Sequence, residues 1–149
     1  MKDTVNYINA IPIARSRGIQ LRQTKNSSDQ EFVNLITLRL KTDEEQRTFG
    51  ATLSPKREPR IVKIDDFIVD AAPSGDLLVM KNLDVPGIIG SVGSLLGTHG
   101  INIAAMVFGR RIQGGTAVSI LNVDSPLTPE IIEKLRKTQN ILEVKTVKL

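Results

Sequence analysis

The fold of this chain is decided by residues 77–108, which read LLVMKNLDVPGIIGSVGSLLGTHGINIAAMVF. An apolar run comes first, then a Pro-Gly pair, then large apolar residues at helical spacing, and finally a second apolar run. This pattern predicts a strand over Leu77–Asn82, a helix over Pro86–His99 that ends at Gly100, and a strand over Ile101–Phe108. Such an alternation is the beginning of an α+β domain.

The residues that follow complete the pattern. Gly114–Asp124 is predicted to be the hairpin partner of the preceding strand, and Ile141–Leu149 to be a last strand. Between them, Thr128 is a suitable N-cap and Pro129 a suitable first residue of a helix. The predicted order is β-α-β-β-α-β, the ferredoxin-like arrangement with two helices on one face of an antiparallel sheet.

The first half of the chain is poor in glycine and rich in β-branched residues. Val5–Gly18 is predicted to be a short helix that Pro12 disturbs and Gly18 ends. Five segments with near-alternating apolar residues are predicted to be strands: Ile19–Gln23, Glu31–Lys41, Arg47–Ser54, Arg60–Ile64 and Phe67–Ala71. Residues 1–75 are therefore expected to form a partial, strand-rich α+β domain, and residues 76–149 a second domain.

Composition excludes several classes of protein. The 149 residues include 20 Lys and Arg, 16 Asp and Glu, one His and no Cys, so disulfides and thiolate metal sites are ruled out and no metal site is expected. A reducing, cytoplasmic location fits, and no stretch approaches the roughly 20 apolar residues of a membrane span. The net charge of +4 is divided evenly between the halves, and aromatic residues make up 3% of the chain. No nucleic-acid partner is therefore expected.

Three glycines, Gly90, Gly93 and Gly97, fall on one side of the helix predicted after Pro86. Each costs about 1 kcal/mol of helix propensity relative to alanine, so close packing is expected to compensate. The packed partner is either the protein's own sheet, or a neighbouring backbone or a small ligand. The spacing from Gly87 differs from G-x-G-x-x-G, so no dinucleotide is expected to bind this chain.

Polar residues near the start of this helix suggest a ligand site. Asn82 and Asp84 flank the helix N-terminus, where free N–H groups favour an anion. A ligand with a carboxylate and an ammonium suits this place, because Asp84 can pair with the ammonium. Alternatively, Asp84 caps the helix and Asn82 ends a strand. Asn102 is polar at the start of an apolar strand and needs a partner, either a ligand or a turn backbone.

Other charged residues give fewer indications. Arg57 and Arg60 lie in a basic stretch that suits an anion such as phosphate, or else forms a solvated strand face. His99 is expected either to cap the end of its helix or to interact with the helix dipole. No serine or carboxylate has the spacing of a catalytic nucleophile and its base, so no catalytic residue is predicted in this chain.

Two sets of motifs resemble known domains. Asp84–Gly87, Gly100–Ala104 and Gly109–Arg110 make the second half similar to an ACT domain, a ferredoxin-like module that binds amino acids between modules. The first half resembles the later part of the allosteric substrate-binding, or intervening, domain of the long D-3-phosphoglycerate dehydrogenases. The motifs that carry this second resemblance are Val5–Ala10, Ile13–Ile19, Gly50–Leu53 and Arg60–Phe67.

The resemblance implies a regulatory C-terminal portion of that NAD-dependent oxidoreductase of serine biosynthesis, with no catalysis of its own. NAD would bind an upstream domain, and this portion would hold no cofactor. L-serine would bind between self-associated ACT domains and exert feedback control, with contacts to Asn82, Asp84 and Asn102. Alternatives are a β-type subunit or segment of an iron-sulfur L-serine dehydratase, and a stand-alone ACT protein that senses amino acids.

Overall fold

The computed structural model describes residues 5–25, 32 and 34–149. The chain divides into two compact units, Met1–Glu31 and Phe32–Leu149. Each unit is described by itself below.

The first unit contains the helix α1, Ala10–Ser16. Pro12 lies in its first turn, where a backbone N–H has no intrahelical partner to lose, so the predicted disturbance by Pro12 is wrong. The helix ends as predicted: Gly18 has a φ of 73°, and the Ile19 N–H donates to the Ala14 carbonyl at 3.0 Å. The strand predicted over Ile19–Gln23 is absent, because residues 5–25 of this unit contain no second strand with which it could pair.

The second unit begins with an antiparallel sheet of four sequential strands. They are β1 (Leu35–Lys41), β2 (Gln46–Leu53), β3 (Pro59–Ile64) and β4 (Phe67–Ala71), in the spatial order β1-β2-β3-β4. All four were predicted to within a few residues; in the first of them, residues 31 and 33 lie outside the described residues.

A second four-stranded sheet carries two helices. Its elements are β5 (Asp76–Leu83), α2 (Ile88–Thr98), β6 (Ile103–Arg110), β7 (Thr116–Val123), α3 (Pro129–Lys137) and β8 (Ile141–Lys148). The spatial order β6-β7-β5-β8 confirms the predicted ferredoxin-like fold. Thr128 caps α3 as predicted, because its hydroxyl accepts the Ile131 N–H at 3.4 Å.

The second sheet is buried on both faces. Successive side chains of a strand point to opposite faces, so Leu78 and Met80 lie in one core and Leu77 in another. The first core packs α2 and α3 onto the sheet. The second core joins the two sheets, and its buried members are Ile64, Phe67, Val69, Ala71, Leu77, Val118 and Ile120. The two sheets therefore share apolar burial and form one packed body.

Close backbone packing at Gly109 fixes the distance between the sheets. A Cβ atom on this residue of β6 would lie 2.7 Å from the carbonyl oxygen of Ile68 and 2.8 Å from the Cγ1 atom of Val69. Both of these residues belong to β4. Glycine is required here, since any side chain would push the two strands apart.

Arg47 adds a polar connection between the sheets. From β2 it donates to Glu143 of β8 at 2.8 Å, to Glu45 at 2.8 Å and to Asp65 at 3.0 Å. These hydrogen bonds, that of Glu143 foremost, raise the pKa of the Arg47 guanidinium above its ordinary value. The arginine is therefore charged at any physiological pH and holds three carboxylates together.

Within the described ranges, no helix is both long and apolar enough to cross a membrane.

Candidate ligand-binding site

Asp84 lies in the loop between β5 and α2, and the β6–β7 hairpin holds it in place. Its Oδ2 atom accepts hydrogen bonds from Nη1 of Arg110 at 2.8 Å and from the Gly114 N–H at 3.2 Å. Its own N–H donates to the Gly115 carbonyl at 2.8 Å. The Arg110 and Gly114 hydrogen bonds lower the pKa of the Asp84 carboxyl, which is consequently ionised at neutral pH.

Asp84 does not cap the following helix. The N-cap of α2 is Gly87, whose φ of 89° suits glycine, and no side chain accepts a capping hydrogen bond there. The alternative interpretation of Asp84 as a helix cap is therefore wrong. Its carboxylate, 15% exposed, accepts hydrogen bonds from the β6–β7 hairpin instead.

Asn82 is buried inside the domain, at 1% exposure. Its Oδ1 atom accepts the Ser119 hydroxyl at 2.9 Å, and its Nδ2 group donates to the Leu83 carbonyl at 2.9 Å. The side chain thus links β5 to β7. Its predicted contact with a ligand is not tested by these bonds and remains a prediction.

Asn102 lies at the other end of β6 from the Asp84 loop. Its Nδ2 group donates to Oδ2 of Asp124 at 2.7 Å, so its partner is a carboxylate and not the turn backbone. Arg110, the partner of Asp84, is eight residues further along the strand, or about 26 Å at the usual rise. A single small ligand that touches both Asp84 and Asn102 must therefore take them from two copies of the chain.

The glycines of α2 face open space. A Cβ atom on Gly90, Gly93 or Gly97 would have no heavy atom within 4 Å. The expectation that these glycines pack on the protein's own sheet is therefore wrong, because Val92 and Leu96 occupy that side of the helix. Their face is available to a ligand or to a second chain.

The loop before α2 does not fit a dinucleotide. In a dinucleotide site the glycine-rich turn joins two parallel strands of a crossover unit, with the pyrophosphate at the helix N-terminus. Here β5 and β6, which α2 connects, are parallel to each other but are not adjacent as they are in such a unit, because β7 lies between them and runs antiparallel to both. Neither the glycine spacing nor the topology supports NAD binding by these residues.

The fold places the two arginines of the predicted anion site, Arg57 and Arg60, in different surroundings. Arg60, in β3, donates from Nε to Oδ1 of Asp70 at 2.6 Å and from Nη2 to the Asp70 carbonyl at 2.7 Å. It lines a surface cavity of about 390 Å³ together with apolar residues that include Phe32 and Val62. Arg57 lies in the β2–β3 turn with a φ of 62° and is not among the residues that line the cavity. Anion binding by this pair remains a prediction.

Two features of the site were not found from the sequence. The ion pair of Arg110 with Asp84 spans 26 residues, and no local pattern indicates it. The neighbouring Arg111 donates to Asp66 of the β3–β4 turn at 3.1 Å, across 45 residues of sequence. By contrast, His99 behaves as predicted, since its Nδ1 atom lies 2.7 Å from the Leu95 carbonyl at the end of α2.

Two protein-family models match this chain. Residues 1–65 match the D-3-phosphoglycerate dehydrogenase intervening domain, and residues 76–140 match the ACT domain. The chain is 37% identical over 146 residues to the D-3-phosphoglycerate dehydrogenase of Bacillus subtilis, covering 98% of this chain and 28% of that protein. It is also 37% identical over 150 residues to the Synechocystis enzyme, covering 100% of this chain and 27% of the relative.

A third relative, the D-3-phosphoglycerate dehydrogenase of Methanocaldococcus jannaschii, is 36% identical over 146 residues, with 97% of this chain and 27% of the relative covered. The chain thus spans just over a quarter of the length of these relatives. An intervening-domain segment followed by an ACT domain is the composition of their C-terminal region, and the chain belongs to the D-3-phosphoglycerate dehydrogenase family as a segment of that region.

Proposed function

We propose that this chain is the serine-binding regulatory segment of a D-3-phosphoglycerate dehydrogenase and exerts feedback control on it. The observation that carries the proposal is Asp84, an ionised and largely shielded carboxylate in the loop that opens α2. A shielded carboxylate favours a ligand with an ammonium group. The family acts in serine biosynthesis, so its end product is the natural effector.

In this proposal, two copies of the chain share one ligand. Asp84 of one copy receives the ammonium, and Asn102 of the other donates to the ligand carboxylate. An amide NH₂ group has two N–H donors, so Asn102 keeps one for the ligand beside its bond to Asp124. Asn82 is the third proposed contact, and it reaches the ligand by exchanging its hydrogen bond with Ser119.

Self-association also follows from the exposed surfaces of the ACT domain. β6 and β8 are the edge strands of its sheet, and the glycine face of α2 is open. Two copies that join at these surfaces remove unpaired strand edges from solvent. We place the functional boundary at Gly75, with the intervening-domain segment before it and the ACT domain after it. The NAD-dependent catalytic part would lie elsewhere in such an enzyme.

Titration calorimetry with L-serine tests this function. We expect Asp84→Asn and Asn102→Ala each to weaken binding by about ten- to a hundred-fold, because each removes one charge-assisted hydrogen bond. D-serine, which cannot place all three polar groups at once, serves as the control ligand. No binding by the unaltered chain would refute the function, and undiminished binding by both variants would refute the site.

Mixing the two variants tests whether the site is shared. A hybrid dimer contains one junction with both original side chains and one junction with neither. Random exchange in an equal mixture should therefore restore about one quarter of all sites. If neither variant binds alone and the mixture restores no site, the shared site is refuted.

A further inference from the structure

Arg110 forms an ion pair with Asp84, the carboxylate that the proposed ligand needs. Its Nη1 atom lies 2.8 Å from Oδ2 of Asp84, and the side chain of Arg110 is 52% exposed, whereas that of Asp84 is 15% exposed. The anionic part of the pair is thus shielded, and the cationic part extends toward water. An arriving ammonium group meets a carboxylate that already has a cation.

We propose that Arg110 is an internal competitor that an amino-acid ligand displaces from Asp84, and that β6 transmits this displacement to β4 through Gly109. The inference rests on the proposed function, since it concerns the regulation of the same site. It makes Arg110 a residue that opposes binding in the ligand-free state.

Displacement is favoured over sharing by the surroundings of Asp84. Two cations held within about 4 Å of each other repel strongly where water is partly excluded. Oδ2 accepts both the Arg110 guanidinium and the Gly114 N–H, so an ammonium that takes this oxygen has to replace Arg110. Since the Arg110 side chain is 52% exposed, its released guanidinium is readily hydrated, which lowers the cost of the exchange.

The release of Arg110 acts at a point of tight packing. The residue before it, Gly109, is packed so closely on β4 that an added Cβ would lie 2.7 Å from the Ile68 carbonyl oxygen. A shift of the end of β6 therefore has to move β4 or break this contact. The closeness of the two backbones makes the first sheet responsive to events at Asp84.

Arg111, just after β6, offers a second connection, to Asp66 just before β4, and it is too weak to carry the effect. Its ion pair with Asp66 joins side chains that are 63% and 73% exposed, and such surface pairs contribute little. Arg111 is consequently a matched control. It has the same chemistry and the neighbouring position, and its carboxylate partner is Asp66 instead of Asp84.

The test is a titration of L-serine into the unaltered chain, Arg110→Gln and Arg111→Gln. We expect Arg110→Gln to bind serine about two- to five-fold more tightly, because the competitor is gone, and Arg111→Gln to bind as the unaltered chain does. Arg110→Lys keeps a cation beside Asp84 and should stay near the original affinity. Equal or weaker binding by Arg110→Gln would overturn the inference, and weaker binding would assign Arg110 to the ligand's carboxylate.

Failure of the function and failure of the inference give different results. If neither the unaltered chain nor Arg110→Gln binds an amino acid, the proposed function fails and the inference fails with it. If the unaltered chain binds and Arg110→Gln binds no more tightly, only the inference fails. Amide hydrogen exchange of β4 with and without serine tests whether β6 transmits the displacement of Arg110 to β4. Changed protection at Ile68 and Val69 supports this step, and unchanged protection overturns it.

Discussion

Replacing Gly109 by alanine tests how tightly the two sheets are packed. The new Cβ would lie 2.7 Å from the Ile68 carbonyl oxygen, about 0.6 Å inside the usual carbon–oxygen contact of roughly 3.3 Å. It would also lie 2.8 Å from Cγ1 of Val69, a stiff side chain that is 6% exposed. Neither neighbour can move without disturbing β4 or the core. Overpacking destabilises a fold by about 1–3 kcal/mol. Because two contacts are too close at once, we expect Gly109→Ala to lower the free energy of unfolding by about 2–3 kcal/mol.

Urea unfolding of the unaltered chain, Gly109→Ala and Gly97→Ala measures this cost. Gly97 is the control because its added Cβ meets no atom of the same chain within 4 Å and lies in a helix, where alanine gains up to about 1 kcal/mol. The variants are compared at a protein concentration below that at which the chain associates. We therefore expect the two glycine-to-alanine changes to shift stability in opposite directions. The thermal midpoint of Gly109→Ala should fall by about 5–10 °C. A Gly109→Ala stability within about 0.5 kcal/mol of the original would refute the close packing of β6 on β4.

Four further outcomes are expected. Arg47→Ala should lower the free energy of unfolding by about 1–2 kcal/mol, because the Glu143 carboxylate, 28% exposed, loses the closer of its two cations and keeps only Lys145 at 3.6 Å. Glu45→Gln at a 52% exposed site should change it little, and urea unfolding compares the two variants. Burial opposes ionisation of Glu143, yet the Arg47 hydrogen bond and charge hold its carboxyl pKa below the ordinary 4.5. The stabilisation of the fold by ionised Glu143 is therefore present above about pH 4.5 and is lost as the pH falls through the folded-state pKa. Unfolding curves from pH 7 to 3 should accordingly fall less steeply for Glu143→Gln. Thr128→Ala should cost about 1 kcal/mol in the same unfolding assay and Thr128→Ser almost nothing, since serine retains the capping oxygen. Light scattering should show a dimer or larger assembly, which Gly93→Leu shifts toward the monomer by filling the open face of α2.

The order of elements in the second half was predictable because each element carries its own local signal. Thr128 and Pro129 mark the start of α3, Gly100 follows α2, and the apolar runs of β6 and β7 are long enough to be assigned. The loop around Asp84 was also recognisable, since a polar residue before a Pro-Gly pair interrupts an apolar pattern. These signals act over a few residues and need no knowledge of the rest of the chain.

The remaining features depend on contacts between distant residues. Ile19–Gln23 has the composition of a strand, yet a strand forms only beside another, and composition does not provide the partner. The pairing of Arg47 with Glu143, 96 residues apart, arises only once the two sheets are packed. For the same reason, the sequence shows that Gly93 is small without showing which surface it faces.

The core shared by the two sheets has a consequence for the order of synthesis. Ile64, Phe67 and Val69 are made before their partners Val118 and Ile120, which follow about 50 residues later. At ordinary translation rates of about 5–20 residues per second, that interval is on the order of 3–10 s. During it, the apolar side of β3 and β4 lacks the partners that β7 supplies. The ribosome-bound segment is thus most prone to aggregation in this interval, and chaperones that shield nascent apolar strands would act on it there.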